Sequence, residues 1–159
     1  MPDLAQLAAV AAIVGGTGWL CLGWPVGDAM PWPGALGGRT QVTLTADANG
    51  QFWIPGRVNG VSYWFLVDTG AAQVAFGRHD ARSLGLDPRH IHFDGSSSTA
   101  NGVMRAATVR VASLEIGPFA AQDFVVSLGE GEMPHPVVGM SWLQHFHMAI
   151  RGGVLTLSE

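Results

Sequence analysis

The sequence predicts one β-rich domain that follows an apolar N-terminal segment. With 159 residues, 48% of them hydrophobic, the chain can bury the core of a single domain. Twenty-two glycines and nine prolines separate short apolar runs, and so many turn signals favour an all-β or β-rich fold over a helical bundle. The eight basic residues are all arginines, scattered through a chain of net charge -4. Nucleic acid is therefore not an expected partner.

Residues 1–27 are predicted to form a transmembrane anchor. The stretch Leu4–Gly27 contains no charged residue, and a helix of that length spans about 36 Å, enough for a bilayer core of about 30 Å. A cleavable signal peptide is the competing interpretation, because Gly27–Ala29 offers small residues for cleavage before Met30. We favour the anchor, since the segment lacks a basic flank and exceeds the apolar length of about 7–15 residues usual in signal peptides.

A linker and one folded domain follow the apolar segment. Residues 28–38 contain several prolines and glycines, which cannot sustain a helix and predict an irregular connection. The folded domain is expected over residues 39–159. The first basic residue is Arg39, so charge does not determine the orientation of the anchor.

Alternating apolar and polar residues predict two hairpins at the start of the domain. Val42 and Leu44 alternate with threonines, and Phe52 and Ile54 follow a turn at Ala48–Gly50, which predicts the first hairpin. In the second hairpin, an Asn-Gly turn leads into an aromatic and β-branched strand that ends at an aspartate. That turn is Asn59–Gly60, the strand is Val61–Val67 and the aspartate is Asp68.

The rest of the domain predicts further short strands and two short helices. A short strand is expected over Gln73–Phe76 and a helix over Arg78–Leu84, closed by Gly85. A polar tip, Ser96–Gly102, predicts a long hairpin. The strands expected to flank that tip are His90–Phe93 and Val103–Val111, followed by Leu114–Ile116, Phe124–Leu128, a helix within Met140–Phe146, and a last hairpin of Ala149–Arg151 with Val154–Leu157.

The segment Asp68–Ala71 carries the strongest chemical signal. Its aspartate directly follows an apolar strand, so the carboxylate is expected at a tight turn in hydrophobic surroundings. Two such carboxylates brought together share one proton, one acts as base and the other as acid, and the water between them becomes a nucleophile. Gly70 permits the tight turn, and the Thr69 hydroxyl can bond backbone across an interface. A turn aspartate that caps its own backbone is the plainer alternative for Asp68.

Three segments resemble the retropepsin-like aspartic peptidases. Leu66–Ala71 is similar to their active-site signature, two hydrophobic residues followed by Asp-Thr-Gly-Ala. Val137–Gly139, followed by Met140–Leu143, is similar to their downstream pair of hydrophobic residues with a glycine and a short helix. Thr99–Gly102 falls between the two, where these enzymes carry the flap. The resemblance covers residues 39–159 and is closest to bacterial members with an N-terminal membrane segment.

The resemblance implies a single-lobed, closed and mostly antiparallel β-barrel with one or two short helices. The sequence contains one Asp-Thr-Gly, so the implied second carboxylate comes from Asp68 of a second copy in a symmetric homodimer. Many viral members carry Arg or Asp where this chain has Met140, so their ion-pair network at the dimer base is not expected here. The implied catalytic residues are Asp68, Thr69 and Gly70, and the implied substrate-binding residues are Ala71, Ala100, Asn101, Gly102 and Val138.

The function implied is hydrolysis of peptide bonds in an extended polypeptide, with no metal and no organic cofactor. Bacterial members of this type imply a single-pass protein of the inner membrane whose peptidase domain faces the periplasm. The alternative is a catalytically silent, membrane-tethered module that keeps the fold and binds peptides or serves as a scaffold.

Overall fold

A computed structural model of the chain describes residues 11–12, 40–99 and 102–159. The regular elements among the described residues are strands, apart from one short α-helix and one 3-10 helix at Arg78–Asp80, which confirms the predicted all-β class. The elements are β1 (Ala11–Ala12), β2 (Gln41–Thr45), β3 (Trp53–Val58), β4 (Val61–Val67), β5 (Ala75–Phe76), β6 (Gly95–Thr99), β7 (Gly102–Ile116), β8 (Phe119–Gly129), β9 (Val137–Val138), α1 (Met140–Leu143), β10 (His147–Arg151) and β11 (Val154–Ser158).

A closed barrel of six strands forms within the compact unit Ile54–His145. The strands follow the order β3-β4-β9-β5-β8-β7, and β7 pairs back with β3 to close the barrel. Strand β6 extends β7 as a hairpin outside the closed ring. Closure pairs the strand edges within the ring, because every ring strand has a neighbour on each side. The closed barrel inferred from the resemblance is therefore confirmed.

Aromatic side chains fill part of the barrel core. The rings of Phe65 and Phe76 are completely buried and meet edge to face with 5.7 Å between centroids. Tyr63 lies 5.6 Å from Phe76 in a similar arrangement, and burial raises the pKa of its hydroxyl above the usual value of 10.0. Burying a phenylalanine contributes about 1.5–3 kcal/mol relative to leaving it exposed. Tyr63 and Phe65 lie on β4 and pack against Phe76 of β5. These contacts hold in place the strand that leads to Asp68.

A second compact unit has the described residues 11–12, 40–53 and 146–159. It contains a four-stranded sheet in the order β1-β2-β11-β10. Strand β2 pairs antiparallel with β11, and Val42 and Leu44 are buried with Leu155 and Leu157. The predicted hairpin between the strand at Val42 and the strand at Ile54 is therefore wrong. Alternation marks a strand and its buried face, but the choice of partner depends on distant residues that bury the same face.

The residues after Thr45 form a loop instead of a hairpin turn. The Asp47 carboxylate accepts hydrogen bonds from the backbone N–H groups of Asn49 and Gln51 and from Trp53 Nε1, at 2.8–2.9 Å. The bond from the Gln51 N–H, followed by that from Trp53, lowers the pKa of Asp47 below its usual 3.8. This side-chain cap stabilises the turn without pairing the two flanking strands.

Several other predicted elements have different bounds. The strand before the flap tip is β6, not His90–Phe93, because its run of serines pairs through the backbone and carries no apolar alternation. Strand β7 is continuous over fifteen residues and merges two predicted strands. The helix expected over Arg78–Leu84 is a 3-10 helix confined to Arg78–Asp80, and the helix expected within Met140–Phe146 is limited to Met140–Leu143.

The predicted anchor, residues 1–27, and linker, residues 28–38, lie outside the described residues except for Ala11–Ala12, which pair with β2. Among the described residues, no helix has the length and hydrophobicity needed to cross a membrane.

Candidate active site

Strand β4 carries the chain to Asp68. It lies parallel to β9, with Leu66 opposite Val137 and Val67 opposite Val138. The backbone pairing continues one residue beyond the strand, because the Asp68 N–H donates to the Val138 carbonyl at 3.0 Å. The start of the turn is therefore held in place by the neighbouring strand.

The turn orients one oxygen of the carboxylate. The Gly70 N–H donates to Asp68 Oδ1 at 2.8 Å, and the Ala71 N–H donates to the Asp68 carbonyl at 3.2 Å. Within residues 40–99 and 102–159, no other donor hydrogen-bonds this carboxylate. Asp68 is half-buried, whereas Thr69 and Gly70 are exposed. The turn therefore holds Oδ1, and Oδ2 has no hydrogen-bond partner in the described part of the chain.

Helix α1 fixes the segment that follows the turn. The N–H groups of Met140 and Ser141, at the start of α1, donate to the carbonyls of Ala71 and Ala72, each at 2.8 Å. The Ser141 hydroxyl accepts the Val74 N–H at 3.1 Å. Because the first N–H groups of a helix lack partners within it, these bonds satisfy the helix and the loop together. The role of Ser141 was not predicted, because its hydrogen bond is to a residue far away in the sequence.

Gly139 has a steric role in the site. A Cβ on this residue would overlap the carbonyl oxygens of Gln73 and Ala71. The backbone here is extended, with φ -99°, so the requirement for glycine is close approach rather than conformation. The second motif of the resemblance thus contacts the first motif directly, and both form one backbone framework around Asp68.

The predicted substrate-binding residues occupy different environments. Ala71 is half-buried next to the turn, and Gly102 is exposed at the start of β7 with φ +112°. Ala100 and Asn101 lie outside the described residues. Val138 is 0% exposed in this chain, and its observed contribution is the carbonyl that receives the Asp68 N–H. Substrate contact by its side chain stays a prediction.

The β6–β7 hairpin has the form of a flap. Its strands pair from Gly95 opposite Ala106 to Thr99 opposite Gly102. Val103, beside the tip, is 79% exposed. That this hairpin covers a bound peptide stays a prediction. Across the described residues, no three His, Cys, Asp or Glu side chains lie together as a metal site requires.

A model of the aspartyl protease family matches residues 54–142, which include the Asp68 turn, Gly139 and most of α1. The match covers more than half of the chain. The chain belongs to the aspartyl protease family. The family inferred from the resemblance is therefore confirmed, and the predicted membrane anchor stays a prediction.

Two curated relatives extend the comparison. An uncharacterised protein from the region 5′ of cobV in a Sinorhizobium species is 34% identical over 112 residues, which are 70% of this chain and 48% of that protein. An uncharacterised protein from Rickettsia prowazekii is 32% identical over 106 residues, which are 67% of this chain and 46% of that protein. The chain thus spans about half the length of these relatives.

A solved structure supports the fold of this aspartyl protease family member. The crystal structure of a retropepsin-like aspartic protease from Rickettsia conorii matches with a TM-score of 0.67 and 30% identity. The match covers 76% of this chain and 92% of that chain. The fold is therefore retropepsin-like, with a single lobe.

Proposed function

We propose that this protein is an aspartic endopeptidase whose active site contains two Asp68 carboxylates from a homodimer. The observation that carries the proposal is the turn at the end of β4, where the Gly70 N–H orients a half-buried Asp68 carboxylate. Family membership supports the same chemistry. The expected substrate is a polypeptide in extended conformation, held under the β6–β7 hairpin by backbone hydrogen bonds.

The proposed reaction uses one proton shared by the two carboxylates. The ionised carboxylate accepts a proton from water as the water oxygen bonds to the peptide carbonyl carbon, and the other carboxyl group gives its proton to the carbonyl oxygen. The gem-diol collapses when the protonated carboxyl group gives its proton to the amide nitrogen, the C–N bond breaks, and one diol hydroxyl gives its proton to the other carboxylate. One carboxylic acid and one amine leave, and the dyad regains a single shared proton.

The single Asp-Thr-Gly in this sequence supports a homodimer as the source of the second carboxylate. A two-fold axis beside the Asp68 turn brings two identical half-sites together and lets each Thr69 hydroxyl bond the partner's backbone. The described part of the chain also carries a surface suited to self-association. Strand β10 is exposed over its whole length, pairs with β11 on one side, and presents Met148 and Ile150 to solvent.

The proposal includes the location of the enzyme. The uncharged stretch Leu4–Gly27 supports a single-pass anchor in a bacterial inner membrane with the peptidase domain facing the periplasm. Tethering two copies to one membrane raises their local concentration and favours a dimer that is weak in solution.

The test compares the full chain with its Asp68→Asn variant in cleavage of a fluorescently labelled unfolded protein. We expect the variant to lose turnover and keep its fold, because asparagine can still accept the Gly70 N–H but cannot transfer the proton. Asp123→Asn is the matched control, since Asp123 is exposed and has φ +52°, which asparagine tolerates. Wild-type turnover in Asp68→Asn would exclude the proposed chemistry. Binding of the unfolded protein without cleavage by the wild type would favour the silent module.

A further inference from the structure

A cavity of about 370 Å³ lies at the base of the β6–β7 hairpin. Arginines outnumber acidic residues in its wall by three to two, although the chain as a whole is acidic. Three of the eight arginines in the sequence line it. The charged or titratable residues of the wall are Arg78, Arg89, Arg105, His92, Asp94 and Glu130.

Two of the three arginines already have partners. Arg89 forms an ion pair with Asp87 at 2.9 Å. Arg105 donates from Nη2 and Nε to the Phe93 carbonyl at 2.6 and 3.1 Å, and its Nη1 lies 3.5 Å from Glu130. The charges of these two guanidinium groups are therefore partly compensated inside the protein.

Arg78 is different. Its side chain is half-buried, and the guanidinium carbon lies 5.4 Å from the centroid of the buried Phe93 ring. In the part of the chain that the structure describes, no carboxylate is within ion-pair distance of Arg78. The aromatic face orients the planar guanidinium but does not neutralise it. A partly desolvated cation that faces a cavity and has no anionic partner indicates a place for an anion.

We propose that this cavity binds a carboxylate group, with Arg78 as the principal contact. The guanidinium fork matches the two oxygens of a carboxylate. Asp94 and Glu130 also line the cavity, so a single negative charge suits it better than a phosphate with two.

The position of the cavity suggests where the carboxylate comes from. Phe93 and Asp94 immediately precede β6, and Arg105 lies on β7, so a bound group contacts the base of the flap hairpin. A polypeptide substrate carries carboxylates in acidic side chains and at its C-terminus. The cavity would then favour substrates that carry an acidic group some residues away from the bond that is cleaved. This origin rests on the proposed function, whereas the binding of a carboxylate does not.

The test measures binding to the wild-type full chain by NMR of the arginine Nε–Hε signals. The probes are a blocked Leu-Glu-Leu tripeptide, the same peptide with Gln, and an acetylated Leu-Leu with a free C-terminus. We expect the Glu peptide to shift the Arg78 signal and bind about tenfold more tightly than the Gln peptide, which corresponds to one charge-assisted hydrogen-bonded pair. Tight binding of the third probe would identify the C-terminal carboxylate as a source.

Variants assign the effect to Arg78. Arg78→Gln should reduce the preference for Glu over Gln to less than about twofold, and Arg78→Lys should keep part of it because the charge remains without the fork. Arg110→Gln is the matched control, since it removes an exposed charge that lies outside both the cavity wall and β10. The proposal is overturned if the wild type binds the Glu and Gln peptides equally, or if Arg110→Gln loses as much preference as Arg78→Gln. Because the readout is binding, a catalytically inactive protein leaves this result interpretable.

Discussion

Gly139→Ala tests the backbone framework around Asp68. The added Cβ meets the carbonyl oxygens of Ala71 and Gln73, which are backbone atoms and cannot move independently of the turn. Overpacking of this kind costs about 1–3 kcal/mol. For a chain of this size each kcal/mol lowers Tm by roughly 2–4 °C, so we expect Tm to fall by roughly 2–12 °C. The same displacement moves the carbonyl that pairs with α1 and should lower turnover roughly 10–100-fold.

Gly60→Ala provides the matched control. Gly60 has φ +83° and open space around its Cα, so alanine there costs about 1–2 kcal/mol through left-handed backbone strain alone. It lies at the other end of β4 from Asp68, in the turn from β3. Both variants should lose comparable stability by calorimetry, and only Gly139→Ala should lose cleavage rate per folded molecule. Equal losses of turnover in the two variants would refute the reasoning, because general destabilisation would then explain both.

Three other changes have defined outcomes. Ala71→Ser adds a hydroxyl beside the proposed dyad, and by hydrogen-bonding the charged carboxylate it should move the basic limb of the pH–rate profile to lower pH; an unmoved limb contradicts this. Ile150→Lys places a charge on an exposed edge strand, where Ile150 is 59% exposed, and should raise the dimer dissociation constant in sedimentation, while Ile150→Val should not. Hydrogen bonds from Arg89 hold the pKa of Asp87 at about 2 instead of 3.8, so its contribution to stability is complete above pH 3.8 and lost as pH falls towards 2. Asp87→Asn should therefore weaken the pH dependence of the free energy of unfolding, measured with urea, between pH 3.8 and 2. An unchanged pH dependence contradicts the ion pair.

Local sequence was enough to predict the strand and turn that carry the active-site aspartate. The aromatic and β-branched run Val61–Val67 forms β4 with the predicted bounds, and the chain turns at Asp68 as expected. The Asn59–Gly60 turn also forms, with φ +48° and +83° at its two residues. These features depend on neighbouring residues, because propensity and turn conformation are decided within a few positions along the chain.

Other features depend on residues far apart in the sequence. Strand β2 pairs with β11 across more than a hundred residues, and β6 pairs with β7 although its serines show no apolar alternation. Backbone hydrogen bonds make both pairings, and they carry no residue-specific signal.

The same limit applies to the environment of single side chains. The sequence placed Val138 near the site by resemblance, but only the fold decides that its side chain is buried and its carbonyl holds Asp68. Likewise, Arg78 precedes the flap hairpin and Arg105 lies on its second strand, and only the fold brings them to one cavity. Residue type and spacing determine which short elements form, whereas the burial of distant apolar faces against one another determines which of them meet.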